Sequence, residues 1–272
     1  MTESSFNILN PNLFTEVMMK LILNADDFGL TESVNHGIVD CFKAGLVKST
    51  TIMMNQPGTQ NAIELYHQGL VPEVGLHFTV TAGKPLTSPE LVPSLVDEYG
   101  HFFSNVTLFD KSDVNEDEVV LELNAQYQAA LDAGLGINHI DSHHFGGVFK
   151  PLKAAFTRTV NRIGLPVRRI DNILSGQDAL RVPTPDAFDM RFFDQGVSLN
   201  GLKDLLLSYQ AMMHNGVLEL MCHPSSVASE QLKSLSSYSD KRVEEHQLLT
   251  SPKLKQWLAD HQIECIGFDD LR

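Results

Sequence analysis

Two adjacent carboxylates, Asp26 and Asp27, end an apolar run in the segment LILNADDFGL, residues 21–30. Neighbouring carboxylates repel each other, so a chain that keeps them side by side can use them to hold a cation or a proton. An Asp at the end of a strand is also a common cap in an ordinary strand-to-helix turn. The segment alone therefore leaves a functional and a structural interpretation open.

Polar side chains that bind metals or move protons follow several other apolar runs. A single histidine in a strand is more often a hydrogen-bonded core residue than a ligand, and an Asp-Ser pair can simply cap a helix. The repetition of the pattern along the chain nevertheless favours a common site. These residues are His77 in VGLHFTV, Asp141, His143 and His144 in INHIDSHHF, Arg168, Arg169 and Asp171 in PVRRID, and His223 in LELMCHP.

Short apolar runs alternate with amphipathic stretches, which predicts right-handed βαβ units and a parallel sheet. In the clearest helix, Asn115 and Glu118 have the spacing of a capping box. The stretches 81–114 and 171–200 are predicted to be long loops. The predicted strands are 20–25, 49–54, 74–79, 137–141, 167–170, 218–222 and 264–268. The predicted helices lie near 32–44, 58–69, 116–133, 150–163, 201–214 and 251–260.

This element pattern favours a (β/α) barrel over an open doubly wound sheet. No GxGxxG or P-loop sequence follows a predicted strand, which removes support for the nucleotide-binding forms of the open sheet. We predict an α/β fold, a (β/α) barrel of about seven parallel strands with one unit missing or distorted. The carboxyl ends of all strands of a barrel meet on one face, so Asp27, His77, His143 and His223 would surround one point.

The composition indicates a globular protein that acts on a small molecule. The chain has 272 residues, of which 43% are hydrophobic, and a formal net charge of −14. Nucleic acids and anionic membrane surfaces are disfavoured as partners, because both require clustered Lys and Arg and the sequence has no such cluster. No apolar run reaches the roughly 18 residues that a membrane span needs.

Residues 1–18 are expected to form a polar leader ahead of a single domain over 19–272, since they have neither a basic start nor an apolar run long enough for a signal peptide. Cys41, Cys222 and Cys265 are odd in number and far apart. This spacing favours reduced thiols and a cytoplasmic location. The sequence leaves a homodimer open.

One carboxylate and two imidazoles can hold a divalent ion such as Zn²⁺, Mn²⁺, Co²⁺ or Fe²⁺ and leave coordination positions open. Such an ion lowers the pKa of a water molecule and polarises a carbonyl oxygen. A second carboxylate can then take a proton from the water, and a histidine opposite can protonate the leaving group. Asp26, Asp27, His77, His143 and His223 supply this complete set.

Four motifs, LILNADDFGL, GLHFTVTAGKPL, HIDSHH and LELMCHP, resemble in the same order those of the YdjC-like carbohydrate deacetylases, a family that includes chitooligosaccharide deacetylases. The resemblance runs from about residue 20 to the C-terminus. It implies a distorted (β/α) barrel and one divalent metal ion, with magnesium or zinc as the leading candidates. It also implies hydrolysis of an N-acetyl group from a short oligosaccharide such as diacetylated chitobiose.

The resemblance assigns roles to individual residues. It implies Asp27, His77 and His143 as metal ligands, Asp26 as catalytic base, His223 as general acid, Arg168 as a residue that orients the base or binds substrate, and His144 as a substrate-binding residue. The family's histidine-rich run continues with a further His, whereas this chain has Phe145-Gly146-Gly147. A different substrate groove is therefore expected near that loop.

Two other functions compete with a sugar deacetylase. A metal-dependent phosphoesterase on a similar barrel would need two metals and basic residues for phosphate, and only Arg168 and Arg169 are candidates. A metal- or sugar-binding protein without turnover would need no base and acid beside the metal. A glycoside hydrolase is disfavoured because Asp26 and Asp27 are sequence neighbours, whereas its paired carboxylates flank the scissile bond.

Overall fold

The computed structural model describes residues 19–169, 179–213 and 215–271. Within them a parallel sheet is flanked by helices. Its strands are β1 (Met19–Phe28), β2 (Ser49–Ile52), β3 (Val74–Phe78), β4 (Ile137–Ser142), β5 (Ala187–Asp189), β6 (Val217–Cys222) and β7 (Ile263–Cys265). The helices are α1 (Glu32–Ala44), α2 (Thr59–His67), α3 (Asn105–Asp110), α4 (Glu116–Asp132), α5 (Lys150–Ile163), α6 (Leu199–Met212), α7 (Glu230–Leu235), α8 (Asp240–Leu249) and α9 (Pro252–Asp260).

The sheet forms a half-barrel with strand order β4-β3-β2-β1-β6-β5, and β7 pairs with the first residues of β1. Every pairing between these strands is parallel. The central strand β1 is buried along nearly its whole length, as expected for a parallel strand covered on both faces. The prediction of an α/β distorted barrel is confirmed.

Two predicted strands differ from the structure. In the segment predicted at 167–170, Val167 makes only an isolated parallel bridge with Ile140, and residue 170 lies outside the described part of the chain. The strand β5 lies instead in the predicted loop 171–200. It has three residues, of which only Asp189 is buried, so it is too short to give a periodic signal. The last strand ends at Cys265, and Phe268 begins a 3-10 turn.

Helix α8 was not predicted from the sequence, and the structure shows why. Its buried residues are Arg242, Glu245 and Leu249. Two of these three are charged, so the helix has no apolar stripe of the kind that reveals an amphipathic helix. The buried face of α8 covers the candidate site described below.

The capping box predicted for α4 is half correct. Asn115 caps the helix, because its side chain accepts a hydrogen bond from the Asp117 N–H at 2.9 Å. Glu118 does not return to the cap and instead accepts a hydrogen bond from the main-chain N–H of Ser94 at 2.7 Å. Its carboxylate therefore fastens the long segment between β3 and α4 to the helix.

Two further polar residues of α4 hold the same segment. The buried carboxylate of Glu122 accepts hydrogen bonds from the N–H groups of Leu86 (3.0 Å) and Thr87 (2.9 Å). The amide of Gln126 accepts from the Thr79 N–H at 2.9 Å. This polar stripe fixes the segment that follows β3, and residues 81–84 of that segment line the cavity described below. Among the described residues, no helix has the length and apolar character that a membrane crossing requires.

Candidate active site

The carboxyl ends of β1, β3, β4 and β6 open into a cavity of about 960 Å³. Most of the residues singled out in the sequence meet there, although they come from distant parts of the chain. Those that line the cavity are Asp26, Asp27, His77, His143, His144 and His223. Asp141 and Arg168 are buried behind this surface, and Arg169 is not among the lining residues. Asp171 lies outside the described part of the chain.

The backbone of β1 turns sharply at Asp27, which brings two successive side chains to the same side. Successive residues on a strand normally point to opposite faces. Asp27 has a left-handed backbone with φ 70°, and the pairing of β1 with β2 is irregular between Ala25 and Phe28. Gly29 follows with φ 97°, and a Cβ there would lie 2.8 Å from the Met53 carbonyl oxygen. Both carboxylates therefore reach the cavity.

Asp27, His77 and His143 form a compact group of possible metal ligands. The Asp27 Oδ1 atom lies 3.2 Å from His77 Nε2 and 3.0 Å from His143 Nδ1. The two ring nitrogens are 3.3 Å apart. Ligand atoms about 2.0–2.2 Å from one ion are separated by about 3.0–3.5 Å, so this triangle has the size of a metal site.

The surroundings of the Asp27 Oδ1 atom also fit a cation. It is buried and accepts no well-directed hydrogen bond from the described residues. A buried polar atom without a partner is rare because its desolvation is not compensated. A carboxylate oxygen aimed between two imidazole nitrogens fits a divalent ion.

Asp141 orients His77 from behind. The Nδ1 atom of His77 donates a hydrogen bond to Asp141 Oδ1 at 2.6 Å, while Thr51 Oγ1 donates to the other oxygen of Asp141 at 3.1 Å. Carboxylate partners of this kind fix the tautomer of metal-binding histidines. Burial opposes a charge on His77, but the Asp141 carboxylate outweighs it and raises the pKa of His77 to about 10.

The guanidinium of Arg168 binds Asp26 through two hydrogen bonds. Its Nη2 donates to Asp26 Oδ1 at 2.6 Å and its Nη1 to Oδ2 at 2.8 Å, while its Nε donates to Glu219 at 2.7 Å. Burial would raise the pKa of Asp26, yet the Arg168 charge holds it below its usual range. Arg168 is only 2% exposed. This placement suits a residue that orients the base and does not suit direct contact with substrate.

His223 directly follows β6, which ends at Cys222. Its Nε2 is 3.9 Å from Asp26 Oδ2. Its main-chain N–H donates to Glu245 Oε2 at 2.5 Å, and its ring packs edge-on against Phe193 and Tyr238. Burial and the Arg242 charge lower the pKa of His223 to about 4.

The histidine loop after β4 has an unusual backbone. His144 and Phe145 both have left-handed φ values, 52° and 55°. His144 is exposed at the cavity wall, with Nδ1 2.9 Å from Thr81 Oγ1. A Cβ on Gly147 would lie 2.6 Å from the Phe156 ring. A larger residue at position 147 would therefore collide with Phe156 of α5.

The residues that sequence reasoning missed lie on α8. Arg242 Nη2 donates to Asp27 Oδ2 at 2.5 Å, and Glu245 supports the main chain of His223. Arg242, Glu245 and Leu249 share one face of α8, but two of the three are charged, so no apolar pattern in the sequence points to this face.

Comparison with known proteins gives one consistent relationship. A family model described as YdjC-like protein matches residues 20–260. A carbohydrate deacetylase from Vibrio campbellii is 39% identical over 253 residues, which are 93% of this chain and 96% of the relative. A carbohydrate deacetylase from Thermoanaerobacter pseudethanolicus is 36% identical over 94% of this chain and 100% of the relative.

A solved structure from Enterococcus faecalis V583, named as a candidate cellobiose-phosphate cleavage protein, agrees in fold. It has a TM-score of 0.85 at 32% sequence identity, over 93% of this chain and 99% of its own. The family model spans most of the chain, and the relatives exceed 30% identity over nearly all of it. The chain therefore belongs to the YdjC-like family.

Proposed function

We propose that this protein hydrolyses the N-acetyl group of a short N-acetylated oligosaccharide, with diacetylated chitobiose as the model substrate, and releases acetate. The observation that carries the proposal is the joint placement in one cavity of the Asp27–His77–His143 group and of Asp26 and His223. The relatives named carbohydrate deacetylase support a sugar substrate. The cavity of about 960 Å³ is large enough for a small ligand of this kind.

Asp27, His77 and His143 would hold one divalent ion, which when bound acidifies water and polarises the acetyl carbonyl. Two nitrogens among three ligand atoms favour zinc or a neighbouring first-row metal over magnesium, which prefers oxygen ligands. The donor set fits such an ion because His77 is held by Asp141 and the buried Asp27 Oδ1 lacks a hydrogen bond from the described residues.

Asp26 would take the proton from the attacking water, since Arg168 keeps its carboxylate ionised. The water oxygen forms the new bond to the acetyl carbon, and the C–N bond breaks. The leaving nitrogen needs a proton, which His223 would supply. His223 is neutral at rest because of its low pKa. Its Nε2 lies 3.9 Å from Asp26 Oδ2, so a small movement lets the proton pass from Asp26 through His223 to the amine.

The phosphoesterase alternative is weakened by the position of Arg168. A second group of three possible ligands, Asp26, His77 and Asp141, lies beside the first. Arg168 Nη2 is 2.6 Å from Asp26 and 3.0 Å from Asp141, so a guanidinium already neutralises this group. A two-metal site of the phosphoesterase type therefore has no support among the described residues.

A binding protein without turnover is the other alternative. It would not need a base kept ionised by a buried arginine or a histidine 3.9 Å from that base. We also propose a role in the breakdown of chitin-derived sugars, which rests on the resemblance of the four motifs, and a cytoplasmic location, which rests on the three cysteines without a disulfide bond. Mass spectrometry of the sugar after incubation with metal-loaded protein tests the activity, with loss of one acetyl group as the expected result.

A further inference from the structure

The carboxylate of Asp27 is shared between two kinds of partner. Its Oδ1 faces His77 and His143, 3.2 and 3.0 Å away. Its Oδ2 accepts a hydrogen bond from Arg242 Nη2 at 2.5 Å. Asp27 is 1% exposed and Arg242 3% exposed, so water does not screen this ion pair well.

Arg242 is itself fixed in place by three other contacts. Its Nε donates to the main-chain oxygen of Tyr238 at 2.8 Å. Its own main-chain oxygen accepts from the Ser225 N–H at 3.1 Å, which ties α8 to the segment after β6. Its guanidinium carbon lies 5.7 Å from the centre of the Tyr238 ring. The guanidinium is therefore held beside Asp27 by its side-chain contacts with Tyr238, on a helix that is itself tied to the segment after β6.

We propose that Arg242 is a positioning residue that restricts Asp27 to one metal-facing oxygen and lowers the affinity of the site for a divalent cation. The inference rests on the proposed metal site. Two positive charges separated by the width of one carboxylate repel each other, and burial makes the repulsion large. A carboxylate that already accepts a charge-assisted hydrogen bond also has less negative charge to give to an ion. Arg242 thereby fixes the orientation of the Asp27 carboxylate and lowers the affinity of the site for the cation.

Calorimetric titration of the metal-free full-length protein with Zn²⁺ tests this role without any sugar. Arg242→Met removes the charge and keeps an unbranched stem, so its zinc affinity should rise at least about tenfold, the equivalent of about 1.4 kcal/mol. Arg242→Lys keeps the charge and should stay within about threefold of the native affinity. Arg158→Met removes an exposed arginine that pairs with Glu116 at 3.0 Å and is the matched control, with unchanged affinity expected.

If Arg242 only supports the structure, the result is different. Its replacement by Met or by Lys would then loosen the site and weaken zinc binding in both variants. Equal or weaker binding by Arg242→Met would therefore overturn the inference. Arg242→Gln, neutral but still a donor, provides the same test if the Met variant does not fold. If the native protein releases acetate but its zinc affinity does not change when Arg242 is replaced, only this inference is contradicted. If Arg242→Met binds zinc more tightly but the native protein releases no acetate, only the proposed function is contradicted.

Discussion

The carboxylates of Asp26 and Asp27, neighbours on one strand, are each bound by a different buried arginine. Arg168 lies 2.6 Å from Asp26, and Arg242 lies 2.5 Å from Asp27. Each guanidinium offsets the charge of one carboxylate, so the protein itself compensates the repulsion between the neighbours. In the proposed mechanism the adjacent carboxylates then have separate roles, Asp26 as the catalytic base and Asp27 as a metal ligand.

Replacing Arg168 with Met should destabilise the fold strongly. The change leaves the buried carboxylates of Asp26 and Glu219 without their main cationic partner. Breaking a buried ion pair by removing one partner costs about 3–5 kcal/mol. Urea unfolding should show a loss of this size, while the exposed control Arg158→Met should lose less than about 1 kcal/mol. A loss of under about 1 kcal/mol for Arg168→Met would mean that the carboxylates are satisfied in another way.

Metal binding should release about one proton near neutral pH. Asp141 raises the pKa of His77 to about 10, so the imidazole is protonated before the ion arrives. A histidine must be neutral to bind a metal, and its proton is therefore lost to the buffer. Calorimetry at pH 7 in buffers of different ionisation enthalpy measures this proton directly. Binding heats that do not depend on the buffer would show that His77 is already neutral.

Substitutions should divide the site into two classes. His77→Ala and His143→Ala should lose metal and activity together, with the neighbouring His144→Ala as a control that keeps the metal. Asp26→Asn and His223→Ala should retain the metal but lose turnover by about 10²–10⁴, the usual effect of removing a general base or acid. Metal analysis beside acetate release separates the classes. A fully active Asp26→Asn protein would show that Asp26 is not the catalytic base.

Glu245→Gln should change how stability depends on pH. Burial raises the pKa of Glu245 from 4.5 to about 8, although the His223 N–H and the Tyr238 hydroxyl favour the charged form. The folded state thus binds a proton that the unfolded state releases, and this contribution is present below pH 4.5 and lost as pH rises toward 8.

The Gln variant lacks this titration, so it should lose less stability than the native protein between about pH 5 and pH 8.5. We expect a relative gain on the order of 1–3 kcal/mol, measured by urea unfolding at both pH values. A difference between the two proteins that is the same at both pH values would show that Glu245 is ionised in the folded state throughout.

The sequence predicted most of the sheet and the residues that end its strands. Runs such as that of β1 are apolar and bounded by polar residues, and the parallel sheet then brings their carboxyl ends together. The strand β5 escaped prediction because three residues with one buried side chain carry no periodic signal. The partnership of Arg168 with Asp26 joins residues 142 positions apart, and only the folded sheet shows it.

Helix α8 escaped prediction for a different reason. Its buried face carries Arg242 and Glu245, which a sequence pattern assigns to solvent because isolated charges are rarely buried. Both residues are buried only because each has a partner in the site. These buried charged residues are therefore the reason that the sequence pattern did not predict the helix.

Mass spectrometry of diacetylated chitobiose incubated with zinc-loaded protein tests the central claim most directly. The native protein should convert the sugar to a product that lacks one acetyl group, with an equal amount of acetate released. Chelated native protein and zinc-loaded Asp26→Asn should leave the sugar essentially unchanged. An intact sugar after prolonged incubation with native protein that holds zinc at Asp27, His77 and His143 would contradict the proposed deacetylase.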